Sequence, residues 1–161
     1  MASTVTIVIP ASIAERLRRE ADRLGSSLEE YIVELALQGL DPPERAGGYA
    51  KASKELLEHA EKELERGNTR QAAEKAWGAA ALAVKAYAEW REGRSLSSHG
   101  ELWEYRRRLE EELGDWVYDS WMSAAGMHTC FYEGWCNAHD VSKSLERIKR
   151  LVDEVIKLVK S

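Results

Sequence analysis

His128 and Tyr132 stand one helical turn apart with Glu133 beside them, and with His99 and Lys85 they form the set of side chains in this chain best suited to acid–base chemistry. A histidine takes up and returns protons near neutral pH, which is what a hydroxyl nucleophile and a leaving group require. The plain structural alternative for His128 is a partly buried ring donating to a carbonyl or a carboxylate. For Tyr132 and Trp135 it is packing into a core. His128, Cys130, Cys136 and His139 also crowd one short stretch and include every residue type that binds zinc through nitrogen or sulfur. On a single helix, however, His128 and Cys130 point about 200° apart and cannot reach one ion. Neither a metal nor a cofactor is expected. The same helix would hold the two cysteine Cα atoms about 9 Å apart, too far to bridge, so no disulfide is expected unless Gly134 breaks the helix.

The elements that must position these side chains are mostly helices. Ile13, Leu17, Ala21 and Leu24 recur at helical spacing behind Pro10 and stop at Gly25, a natural C-terminal cap. Ser26 or Ser27 then caps a second helix that carries Leu28, Tyr31, Ile32, Leu35 and Ala36 inward and ends at Gly39. Asp41, Pro42, Pro43, Gly47 and Gly48 read as a break, giving a module over residues 1–41, a linker over 42–48 and a helical remainder over 49–161. That remainder divides into about five helices: residues 49–66, 69–90, 98–113, 115–133 and 140–160. Ala72, Ala73, Ala76, Ala80 and Ala83 surround Trp77, Val84 and Tyr87, and such small residues let neighbouring helices approach closely. This Ala-rich helix is expected at the centre of an antiparallel bundle.

Ahead of all of them, Thr4, Val5, Thr6, Ile7, Val8 and Ile9 alternate and are rich in β-branched residues, the pattern of a short strand. No later segment offers that strand a neighbour, so a second copy of the chain is its expected partner. The fold class is therefore mostly α: an N-terminal strand with two helices, followed by a bundle.

Composition narrows the function classes. The 161 residues carry a net charge of −5, and neither side of Arg45 is basic. Nucleic-acid binding would need a local cluster such as Arg16, Arg18, Arg19 and Arg23. No apolar run approaches the roughly 18 residues of a membrane span, so no membrane partner is expected and a cytoplasmic location is the default.

Two resemblances add to this reading. The alternating strand, Pro10, the Arg16 to Arg23 helix, the Gly25-Ser26-Ser27 turn and the apolar second helix resemble the ribbon-helix-helix family. That likeness implies a homodimer joined by strand pairing over residues 4–9. It also implies DNA contact through the outward Thr4, Thr6 and Val8 and phosphate contact at Ser26 and Ser27. No Lys or Arg precedes Arg16, which leaves the outward strand face two hydroxyls and a methyl-bearing side chain.

The remainder, through Glu74 to Trp77, Lys85 to Tyr87, Ser98 to Leu102 and Met127 to Gly134, looks like the archaeal PaREP-type branch of the HEPN-like helical bundles. The wider superfamily includes metal-independent ribonucleases and toxin partners whose site pairs an Arg with a His four to six residues on. Here only Arg94 and His99 fit that spacing. Three readings follow. The first is a non-enzymatic, homodimeric, nucleic-acid-associated regulatory or accessory protein of toxin-antitoxin type, with DNA, RNA or a toxin-antitoxin protein as partner. The second is a metal-independent ribonuclease or nucleotide-binding protein using His128, Tyr132, Glu133, His99 and Lys85. The third is a structural dimerisation protein.

Overall fold

A computed structural model of the chain describes residues 4–160, and these form seven helices. They are α1 (Ala11–Leu24), α2 (Leu28–Leu37), α3 (Pro42–Glu65), α4 (Thr69–Glu92), α5 (His99–Leu113), α6 (Trp116–Glu133) and α7 (Ala138–Lys160). Among the described residues there is no strand. Residues 4–10 are irregular and exposed, which corrects the expected N-terminal strand. The physical reason is the one that made that strand incomplete: a ladder needs a neighbour, and every other regular segment has already closed its backbone bonds within a helix.

Helix α4 is the axis of the molecule. Every residue from Ala72 to Glu89 is buried, and α4 packs against α3, α5, α6 and α7 and touches α2. Its alanines allow this, because a helix enclosed on all sides has room for few large side chains. The large ones it does carry, Trp77, Leu82 and Tyr87, anchor the core with Trp121 from α6, Leu109 from α5 and Ile148 and Leu151 from α7.

The α1–α2 hairpin attaches to this bundle differently. Lys85 of α4 is 1% exposed in its side chain, and its Nζ lies 2.9 Å from Oε2 of Glu30 and 2.9 Å from Oε2 of Glu34, both on α2. Arg45 of α3 pairs with the buried Glu89 at 2.9 Å on the same side of α4. Burying these charges is tolerable only because each has its counter-ion. Glu30 also completes a reciprocal cap, since Ser27 Oγ accepts from the Glu30 N–H at 3.1 Å and the Glu30 carboxylate accepts from the Ser27 N–H at 3.4 Å.

Residues 42–48, read above as a linker, are the first two turns of α3. Pro42 and Pro43 occupy its opening positions, where the missing N–H costs nothing, so the proline pair starts a helix here. The expectation about the cysteines is also corrected. Gly134 ends α6 with φ 70°, turning Cys136 back to a Cα–Cα distance of 5.6 Å from Cys130, and the two form a disulfide.

Candidate functional site

The chemically equipped region lies where the α1–α2 turn meets α4, the start of α5 and the end of α6. From α4 comes Glu74, buried, with Oε1 3.0 Å from Nδ1 of His128 on α6. Burial holds the Glu74 carboxyl above its ordinary range, and the hydrogen bond to His128 opposes that shift. A carboxylate accepting from Nδ1–H fixes the tautomer and leaves Nε2 as the ring's free lone pair.

Trp77, one turn after Glu74, stacks on the His128 ring with centroids 5.0 Å apart and sets its plane. Trp77 is itself held by Trp121 at 5.1 Å, and Trp121 by Trp103 at 5.7 Å. Tyr132 lies edge-on to His128 at 5.1 Å between centroids. Its hydroxyl donates to Oδ1 of Asp22 on α1 at 3.4 Å. Partial burial, then the carboxylates of Glu74 and Asp22, push the phenol up to about 12, so it stays protonated and able to donate throughout the neutral range.

His99, the first residue of α5, brings a second imidazole within 6.0 Å of His128. Its Nε2 accepts from the indole N–H of Trp103 at 2.8 Å, which requires the neutral ring with its proton on Nδ1. Burial and the facing His128 keep its pKa below the ordinary histidine value. A hydrogen bond with the Gly25 backbone opposes that shift. His99 fits because Gly25 caps α1 in the left-handed region at φ 71°, and a Cβ there would lie 2.7 Å from the His99 Cβ.

Two depressions flank these side chains. One, of about 600 Å³, is lined by Asp22, Arg23, Gly25, Ser98, His99 and His128; the other, of about 350 Å³, by Arg18, Asp22, Gln71, Glu74 and Tyr132. Asp22, the Tyr132 partner, lines both. Ser98, His99 and Gly100 at the start of α5 line the larger part, and a helix N-terminus is a favourable place for negative charge.

The structure therefore gathers His128, Tyr132 and His99 from the expected set and leaves out two members. Lys85 is bound between Glu30 and Glu34, eight residues or about 12 Å along α4 from Trp77. Glu133 closes α6 in solvent and makes no ion pair among the described residues. Arg94 lies over the Tyr105 ring at 5.6 Å, so the Arg94 and His99 spacing does not become a pair in space.

Thr4, Thr6 and Val8 are exposed in the irregular tail, whereas Ser26 and Ser27 are buried in the hairpin turn. Their N–H groups are occupied, Ser26 N–H by the Ala21 carbonyl and Ser27 N–H by Glu30. Among the described residues no three His, Cys, Asp or Glu side chains gather as a metal site, and Cys130 and Cys136 are spent on each other. The sequence reasoning missed Glu74 and Asp22. A carboxylate one turn before Trp77 on an alanine-rich helix was the available signal for Glu74.

Fold and site together define an all-helical bundle carrying a histidine-centred cleft, closed on one side by an appended helical hairpin. Residues 48–152 match the model of the Archaeal PaREP1/PaREP8 family, so the chain belongs to that family. No curated protein and no solved structure matches it. The match covers nearly all of α3 to α6 and most of α7 but stops short of α1 and α2. No helix among the described residues is long and apolar enough to cross a membrane.

Proposed function

We propose that the protein is a metal-independent enzyme acting on the phosphodiester of RNA or of a nucleotide at the Glu74–His128 cleft. The observation that carries this reading is the 3.0 Å bond from Glu74 to His128 Nδ1, which prepares Nε2 as a base on a ring that lines an open depression. In the reaction His128 Nε2 takes the proton of a ribose 2′-hydroxyl. The 2′-oxygen then attacks phosphorus, and the bond from phosphorus to the 5′-oxygen breaks. Tyr132 gives its proton to the leaving 5′-oxygen and recovers one from the imidazolium, so the site returns to its starting state. Arg23, which also pairs with Glu20 at 2.9 Å, and the start of α5 line the depression and would meet the developing phosphoryl charge. The products are a 2′,3′-cyclic phosphate and a 5′-hydroxyl.

The test is cleavage of a labelled oligoribonucleotide by the full chain. His128→Ala is expected to lower the rate about 10²- to 10⁴-fold while a deoxy analogue still binds, and cleavage is expected to persist in chelator. Equal rates for the wild type and His128→Ala would refute the reading.

A second reading, the non-enzymatic accessory protein of toxin-antitoxin type, is favoured by the N-terminal tail. Val5, Ile7 and Val8 are 85%, 76% and 98% exposed, and Ile13 on α1 continues the apolar surface. A second copy or a partner protein would cover them. Sedimentation of the chain with and without residues 1–10 tests this: if both species have the same mass at every concentration, the tail is not an association surface.

A further inference from the structure

Residues 126 and 128 lie about 200° apart around a helix, so α6 turns one face to the histidine cleft and the opposite face to a separate groove. That groove, of about 520 Å³, runs between α6 and α7 and is lined by Met122, Gly126, Trp135, Asp140, Lys143 and Arg147. Its floor is apolar, its far wall is cationic, and one indole stands at its end.

Trp135 is 53% exposed although it belongs to the short corner between two helices. The corner is fixed on both sides. The Cys130–Cys136 disulfide closes it, and Arg70 donates from Nε to the Phe131 carbonyl at 3.0 Å, holding the end of α6. One edge of the indole rests on Gly126, where a Cβ would lie 4.0 Å from Cη2. A large ring held in place yet left half in water is a stacking platform in want of a second ring.

The charges around it favour an anion. Lys143 and Arg147 stand one turn apart on the exposed face of α7, and among the described residues neither has a carboxylate within ion-pairing distance. The Asp140 carboxylate at the rim accepts from the Asn137 N–H at 3.0 Å in the cap of α7. Arg147 Nη1 donates to the Lys143 carbonyl at 3.1 Å, which lays the guanidinium along the helix beside the lysine. Its remaining N–H donors stay available.

We infer that the α6–α7 groove binds single-stranded nucleic acid, one base stacking on Trp135 and the adjoining phosphates meeting Lys143 and Arg147. The inference rests on the nucleic-acid reading of the histidine cleft for its ligand class, but not on any residue of that cleft. It would give the enzyme a place to hold the strand on the face of α6 opposite the cleavage site.

The experiment uses the full chain and a fluorescein-labelled oligodeoxythymidylate, which lacks the 2′-hydroxyl and so reports binding without cleavage. Trp135→Leu is expected to weaken binding roughly tenfold or more, with Trp135→Phe recovering most of it. Lys143→Glu with Arg147→Glu is expected to lower the affinity and to flatten the logarithmic salt dependence by about 1.4, the value for two phosphates on a single strand. His128→Ala is expected to bind as the wild type does. The inference is overturned if Trp135→Leu binds like the wild type, if an abasic oligomer of equal length binds as well as oligodeoxythymidylate, or if His128→Ala loses binding as fully as Trp135→Leu. A cleavage assay that fails with this binding intact would reject the catalytic reading alone.

Discussion

The bundle and the hairpin are held by different balances of apolar and ionic contact. From α3 to α7 the contacts are mainly apolar and interlocking, with Trp77, Trp121, Leu109 and Ile148 buried around an alanine-walled axis and the Arg45–Glu89 and Glu74–His128 pairs added to it. Between α2 and α4 the deepest contact is ionic, Lys85 among Glu30 and Glu34, while Ile32, Leu35 and Leu40 of the same region remain exposed. A buried ion pair holds its partners to one geometry, because either charge left alone there is costly. The hairpin is thus docked in one register, and that register carries Asp22 to Tyr132 and Gly25 to His99.

The largest effect should come from removing the cation. Lys85→Met leaves two carboxylates facing an apolar wall and is expected to cost about 3–5 kcal/mol in urea unfolding. Adding Glu30→Gln and Glu34→Gln should restore part of this, and failure of that rescue would show that the ionic contact is not what docks the hairpin. Next, Gly25→Ala meets both a left-handed backbone and the His99 side chain, and about 2 kcal/mol is expected. If it leaves stability unchanged, the hairpin is not seated on α5.

Ser27→Ala removes the α2 cap and should cost about 1 kcal/mol, with protease cleavage appearing first between α1 and α3 if the hairpin opens separately from the bundle. Smallest is the pH dependence from His99. Its folded pKa is lowered, so its contribution is present above the unfolded value near 6.5 and is lost as pH falls through the folded pKa. The urea midpoint should fall more between pH 7 and pH 5 in the wild type than in His99→Gln.

Much of this was legible in the residues. Gly25, Gly93 and Gly134 mark three helix ends, and the run of alanines marks the central helix, because both signals are local and independent of what packs nearby. His128 and Tyr132 were readable as one face of a helix. The tail misled because alternation states only that a strand is possible, and a strand forms only beside another. The proline pair misled because it can close one helix or open the next. The cysteine estimate assumed an unbroken helix, and the disulfide follows from the corner at Gly134. Lys85 was grouped with the histidines because its two carboxylate partners lie about fifty positions away in sequence, beyond any periodicity.

The enclosure of α4 has a consequence for how such a chain can vary in length. One residue inserted between Ala72 and Glu89 would rotate everything after it by about 100° and lift it 1.5 Å. Lys85 would then miss its carboxylates, and an alanine facing α3 would be replaced by whatever preceded it. Growth and shrinkage of this protein are therefore confined to its corners, and the spacing from Glu74 to Lys85 is fixed as firmly as the residues themselves.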